Sequence, residues 1–185
     1  QGSRRAVIAL ERMGLDVWVV TGDNRRVAAA LARRLGVAPR RVMAEVLPAE
    51  KTRKVKELQL AGGYVAMVGD GVNDAPALAT ADVGIAVGAG TQVALEAADM
   101  VLVRSDVCDV VSALHLGRKV FGRIRLNFVF AMLYNLCGVP IAAGVLYPFL
   151  HVRVPPALAG LTMALSSISV VLSSLALRLY RKPKV

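Results

Sequence analysis

Two long runs without a charged side chain, residues 126–150 and 154–177, decide most of what this chain can fold into. Each is about 24–25 residues, against the roughly 20 apolar residues that span a bilayer. Together they raise the hydrophobic share to 56%, above that of a soluble domain. The rest of the chain is different in kind, with charges and glycines distributed through residues 1–106. The sequence therefore predicts a soluble part followed by a membrane hairpin, with helices at 126–150 and 157–180. A loop at 151–156 joins them and a short tail, 181–185, follows.

The net charge of +10 raises the question of nucleic acid. Its distribution answers it. Arg118, Lys119, Arg123 and Arg125 precede the first apolar run, while Arg178, Arg181, Lys182 and Lys184 follow the second. The connecting loop offers only Arg153. Positive residues flanking both outer ends put those ends, and the soluble part, on the cytoplasmic side. No aromatic residues interleave with the basic ones as a base-stacking platform would require, so no nucleic-acid partner is expected. Two cysteines, Cys108 and Cys137, are too few for a disulfide framework and have no zinc-site spacing. There is no signal peptide, and the amphipathic stretch at 6–13, closed by Gly14, reads as a chain entered partway through a domain.

In the soluble part, short β-branched runs at 16–20, 42–44, 64–68, 84–87 and 100–103 alternate with helical patterns at 25–35 and 48–61. Gly36 and Gly62-Gly63 supply the helix stops. Pro76 falls in the first turn of a short helix, where its missing N–H costs little. Strands alternating with helices imply a parallel sheet covered on both faces. Ligands of such sheets bind beyond the C-terminal strand ends. The polar clusters sit there: Thr21-Gly22-Asp23 after one strand, Gly69 to Asp74 after another. Residues 107–125 carry apolar side chains at helical spacing and read as a stalk helix; an amphipathic helix packed on the sheet suits its first half equally well.

A phosphoryl group in transfer spreads negative charge over its oxygens, so its site must present donors and cations already in place. Thr21 and Gly22 offer a hydroxyl and a backbone N–H, and Lys51, near a helix start, offers a compact positive charge. Asp70 and Asp74, four apart on a glycine-flanked loop, suit Mg²⁺, which takes oxygen ligands and retains waters. Asn73 can donate through its amide. Singly, these are ordinary turn residues. Their order, each after an apolar strand or at a helix start, favours the site.

The motifs Thr21-Gly22-Asp23-Asn24 and Met67-Val68-Gly69-Asp70-Gly71-Val72-Asn73-Asp74-Ala75-Pro76-Ala77-Leu78 resemble the hinge motifs of P-type ATPases, within the haloacid-dehalogenase-like superfamily. Leu47-Pro48-Ala49-Glu50-Lys51 resembles the family's lysine segment. The resemblance implies an α/β, haloacid-dehalogenase-like partial phosphorylation domain at 1–106, a stalk at 107–125, and the membrane hairpin. It implies that Asp70 binds Mg²⁺ with Asp74 close by. Thr21, Gly22, Asp23, Lys51 and Asn73 would serve the phosphorylated state. The family's nucleophile, an aspartate in Asp-Lys-Thr-Gly, is not in this chain, so the polypeptide by itself is expected not to hydrolyse ATP. The missing nucleotide-binding, actuator and membrane segments would lie upstream.

In the membrane runs, Asn127, Tyr134-Asn135, Pro140 and Met163-Ala164-Leu165-Ser166-Ser167 resemble the signature helices of the copper-transporting subclass. That likeness makes Tyr134, Asn135, Met163 and Ser167 neighbours of the transported ion. Copper(I) is soft and favours the Met163 sulfur. Pro140, near Gly138, would kink its helix. Taken alone, Ser166, Ser167 and Ser173 read better as small packing residues, and Cys137 reads as packing. The likeness extends through Thr91-Gln92-Val93-Ala94-Leu95-Glu96-Ala97-Ala98-Asp99 and Leu172-Ser173-Ser174-Leu175.

The expected function is thus part of an ATP-driven copper(I) pump that uses Mg²⁺ and ATP. Its partners would be the remainder of the same ATPase, a copper chaperone through upstream domains, and the bilayer. Its place would be a Golgi or plasma membrane, if eukaryotic. A membrane-anchored phosphatase of the same superfamily and an inactive truncated product with a binding role are the alternatives.

Overall fold

The computed structural model describes residues 2–70, 72–88, 96–145, 147–150 and 155–183. The chain divides into two compact units, Gln1–Ala113 with Pro183–Val185, and Leu114–Lys182. The elements of the first are α1 (Gly2–Arg12), β1 (Val19–Val20), α2 (Arg25–Leu35), β2 (Val42–Met43), α3 (Pro48–Leu60), β3 (Ala66–Gly69), α4 (Ala75–Thr80), β4 (Val83–Val87) and β5 (Met100–Leu102). Single 3₁₀ turns at Pro39–Arg41 and Val72–Asp74 complete it. Helix α5 (Val107–Ala142) begins in this unit and continues into the second, which also holds α6 (Tyr147–Leu150) and α7 (Pro156–Leu175).

Helix boundaries follow local chemistry. Asn24 caps α2 by accepting from the Val27 N–H at 3.0 Å, and Gly36 ends it in the left-handed region at φ 84°. Pro48 opens α3, where the Glu50 carboxylate reaches back to accept from the Leu47 N–H at 2.9 Å. Gly62 follows that helix at φ 86°.

All strand pairs are parallel, as the alternation of elements predicts. They form two sheets, however, β1-β2 and β3-β4-β5, where the sequence predicts one. Val68 on β3 is 40% exposed, so this strand is not covered as a central parallel strand would be. Strand β4 is the buried centre. Ile85 on it and Leu78 on α4 are fully buried, and each such side chain contributes about 1.5–3 kcal/mol. The close approach of α4 to β4 depends on Gly84, since a Cβ there would lie 2.7 Å from the Leu78 carbonyl oxygen. Two carboxylates tie off strand starts: Asp82 accepts from the Val65 N–H and Asp99 from the Gly84 N–H, both at 2.8 Å. The Val65 hydrogen bond holds the Asp82 carboxyl below its ordinary range.

The predicted stalk and first membrane segment form one helix, because residues 107–142 contain no helix stop strong enough to part them. Pro140 stands two residues before the end of α5, and Gly144 turns the chain at φ 87°. Thirty-six residues of helix extend about 54 Å, well beyond a hydrocarbon core of about 30 Å. Among the described residues, α5 is the one helix long and apolar enough to cross a bilayer; a shorter apolar stretch covers Met163–Leu179. Gly71, residues 91–95, Arg153 and most of the 151–156 loop lie outside the described residues.

Candidate active site

The soluble candidates fall into two groups, each described by its own contacts. The first runs from β1. Past Val20 the chain turns so that the Thr21 hydroxyl donates to the Asp23 carboxylate at 2.9 Å and accepts from the Asp23 N–H at 3.2 Å. This turn is laced to the approach to α3. The Thr21 carbonyl accepts from the Val46 N–H at 3.1 Å and the Asp23 carbonyl from the Glu45 N–H at 2.9 Å. Gly22 lies close under the same strap, a Cβ there falling 3.6 Å from the Val46 oxygen. Lys54 of α3, one turn beyond Lys51, sits 5.3 Å from the Trp18 ring centre just before β1.

The second route runs from β3 into the 3₁₀ turn. Lys51 Nζ donates to Asp74 Oδ1 at 2.7 Å, with both side chains largely buried at 16% and 12% exposure. In that setting the pair is held by geometry rather than screened away as a surface ion pair would be. Gly69 makes room for it: a Cβ there would lie 2.7 Å from Asp74 Cβ and 2.9 Å from its Oδ2. Gly69→Ala is therefore expected to cost about 1–3 kcal/mol through overpacking. It should show as a lowered unfolding midpoint together with a weakened Lys51–Asp74 contact.

Asp70 and Asn73 are exposed on the same loop. The two acidic residues stand in different settings. One oxygen of Asp74 is engaged by Lys51, while the Asp70 carboxylate is open to solvent and to a ligand. Among the described residues no three acidic, histidine or cysteine side chains cluster into a complete metal cage. An exposed carboxylate with a second one four residues on is a set that Mg²⁺ could use, since it takes one or two carboxylates and completes its shell with phosphate oxygens and water. A groove of about 530 Å³ between α2 and β2, with Ala28, Ala32, Val37 and Met43 in its lining, holds none of the expected site residues.

Among the described residues, the membrane candidates make no side-chain hydrogen bond from one helix to the other. Asn135 donates its amide to the Ala131 carbonyl at 3.0 Å and Ser167 its hydroxyl to the Met163 carbonyl at 3.3 Å, each within its own helix. Met163 is 69% exposed and Tyr134 37%. Cys137, read as a packing residue, is exposed within this unit. What sequence reasoning missed is a polar contact between α5 and α7: Asn127 donates to Ser174 at 3.1 Å. Both are small polar residues in apolar runs, which is the signal that could have paired them.

The fold agrees with known proteins. The haloacid dehalogenase-like hydrolase description matches residues 1–82, and a second of the same description matches 52–114. Copper-transporting ATPase HMA4 of Oryza sativa subsp. japonica is 56% identical over 179 residues, 97% of this chain. Copper-transporting ATPase 2 of Homo sapiens is 54% identical over 183 residues, 99% of this chain. A crystal structure of a zinc-transporting PIB-type ATPase superposes with a TM-score of 0.81 at 35% identity, over 96% of this chain and 27% of that one. The chain belongs to the heavy-metal P-type ATPases. It spans 18% of the rice ATPase and 12% of the human one, less than a fifth of either. Among heavy-metal P-type ATPases, then, it corresponds to a haloacid-dehalogenase-like portion with parallel strands and a long apolar helix.

Proposed function

We propose that this chain is the C-terminal part of an ATP-driven copper(I) transporter, supplying half of a phosphorylation site and the last two membrane helices. The observation that carries the proposal is the buried Lys51–Asp74 pair beside the exposed Asp70 carboxylate. That arrangement presents a fixed cation and a free metal ligand at the C-terminal ends of parallel strands, as transfer of a phosphoryl group demands. Asp70, with the second oxygen of Asp74, would hold Mg²⁺, which supplies charge neutralisation at the phosphate oxygens. Gly22 would offer a backbone N–H from the other strand end and Asn73 an amide, and the Thr21 hydroxyl would join them by turning its hydrogen from the Asp23 carboxylate to a phosphate oxygen. Asp23 orients Thr21 through its hydrogen bond.

The remainder of the site would come from another segment of the same ATPase. Strand β1 pairs with β2 and β3 with β4, leaving one edge of each unpaired among the described residues. Parallel strands at a sheet centre pair on both edges, so these edges support insertion of a further strand carrying the aspartate of Asp-Lys-Thr-Gly. In the experiment that tests this, the purified chain shows neither phosphorylation by ATP nor Mg²⁺-dependent turnover. Labelling or turnover by the chain alone would sink the half-site reading and favour the membrane-anchored phosphatase.

Copper(I) as cargo rests on chemistry and on likeness. The relatives named above at 54% and 56% identity are copper-transporting, whereas the zinc-transporting structure stands at 35%. Between residues 126 and 177 there is no aspartate, glutamate or lysine, and Met163 offers a soft sulfur. Tyr134, Asn135 and Ser167 would be its neighbours. Met163→Leu keeps volume and removes the sulfur. In the full-length ATPase it is expected to raise the half-saturating copper(I) concentration about tenfold or more, equivalent to ~1.4 kcal/mol. An unchanged copper response would remove Met163 from the ion path. In this reading the segment is multi-pass, with domain limits at 1–106, 107–125, 126–150 and 157–180 and the soluble part in the cytoplasm of a cell with a Golgi or plasma-membrane pump. A copper chaperone would act on upstream domains.

A further inference from the structure

Three side-chain contacts tie α5 to α7 and the residues after it. His115 Nδ1 lies 2.8 Å from the Tyr180 hydroxyl, Arg123 donates to Ser173 Oγ at 3.3 Å, and Asn127 Nδ2 donates to Ser174 Oγ at 3.1 Å. His115, early in α5, meets Tyr180, whereas Arg123 and Asn127, two to three turns on, meet Ser173 and Ser174, so along α5 the contacts move back from the end of α7 toward its start and the two segments run antiparallel. The Ser174 hydroxyl donates in turn to the Val170 carbonyl at 2.9 Å, which fixes the direction in which it can accept. Asn127 Oδ1 is buried with no donor among the described residues. The surrounding positions, Leu126, Phe128, Val129 and Leu172, are apolar. Apolar surfaces slide past one another at little cost, whereas a polar pair between helices does not: a shift in register leaves both groups without partners.

We propose that Asn127 and Ser174, assisted by Arg123 and Ser173, form a clamp that sets the register of α5 against α7 and so positions the ion-site residues. This rests on the transport reading of Tyr134, Asn135, Met163 and Ser167. Tyr134 lies seven residues beyond Asn127, and Ser167 seven before Ser174. Seven residues are two turns on one helical face, about 10.5 Å of rise. In an antiparallel pair the two displacements run the same way, so the clamp brings Tyr134 and Ser167 to a common depth, within about one turn. Met163 follows Ser167 one turn further along that face. The clamp residues are positioning residues, since they meet the neighbouring helix and not the ion.

The test uses the full-length ATPase in membranes. Asn127→Cys with Ser174→Cys is expected to form a disulfide on mild oxidation, identified by mass spectrometry of the linked peptides. Phe128→Cys with Ser174→Cys, about 100° further round the helix, is expected not to. Asn127→Ala should raise the half-saturating copper(I) concentration about fivefold, the worth of one hydrogen bond, while leaving maximal turnover within about twofold. Asn127→Ser with Ser174→Asn places the amide on the opposite helix and should recover the parent value. Equal linking from positions 127 and 128 would overturn the clamp, as would a transposed pair no better than Asn127→Ala. Where Asn127→Ala fails to fold, the cysteine pairs and the transposed pair still decide. Linking depends on neither metal nor ATP, so a correct cross-link with no copper response counts against the copper reading and leaves the clamp standing.

Discussion

In the full-length ATPase, Lys51→Met is expected to lower ATP-dependent phosphorylation roughly 10²- to 10³-fold, the cost of removing one preorganised group that stabilises transferred charge. The structure adds a second loss. Lys51 Nζ is 2.7 Å from Asp74 Oδ1 in a largely buried setting, and the methionine would leave that carboxylate without its cation. Breaking a buried pair from one side costs about 3–5 kcal/mol. Activity and thermal stability should therefore fall together, and Asp74→Asn in the Lys51→Met background should return part of the stability without the activity. Lys51→Arg is expected to rescue poorly, since a planar fork does not fit a pocket shaped for a compact ammonium. Phosphorylation at the parent level in Lys51→Met would take the lysine out of the transfer site.

Most of the local structure was legible because its causes are local. Asn24, Gly36, Pro48 and Gly62 each act within a turn of their own position, and the observed helix limits follow them closely. The strand limits moved: 16–20 became Val19–Val20, 64–68 became Ala66–Gly69 and 84–87 became Val83–Val87, because pairing decides which residues hold an extended backbone in a sheet. Pairing is not local, and the division into two sheets could not be read from runs of valine and alanine. The Lys51–Asp74 contact joins residues 23 apart in sequence. Both were named from the sequence as site residues, but that one neutralises the other depends on how α3 meets the 3₁₀ turn. The same holds for Asn127 and Ser174, 47 apart, which the apolar runs left unpaired. The stalk and first membrane helix merged because amphipathic and apolar helical patterns propagate through one another unless a glycine or proline intervenes at the junction.

Asp70→Asn should be the more damaging change for chemistry and the milder one for stability. Its carboxylate is exposed and makes no ion pair among the described residues, so the amide leaves the Lys51–Asp74 contact in place. What it removes is the one acidic side chain of the loop not already committed to a cation. Mg²⁺ binds hard anionic oxygen, and an amide carbonyl is a weaker ligand for it. The ion's stabilisation of the transferring phosphoryl oxygens is worth several kcal/mol, so loss of phosphorylation by roughly 10³-fold or more is expected. The unfolding midpoint should stay near the parent's, and raised Mg²⁺ should recover part of the rate. Asp74→Asn should show the reverse balance, with a larger fall in midpoint and a weaker dependence on Mg²⁺. If the two substitutions acted alike, with rate and midpoint falling in the same proportion, Asp70 and Asp74 would be serving one structural purpose and the division between them would be lost.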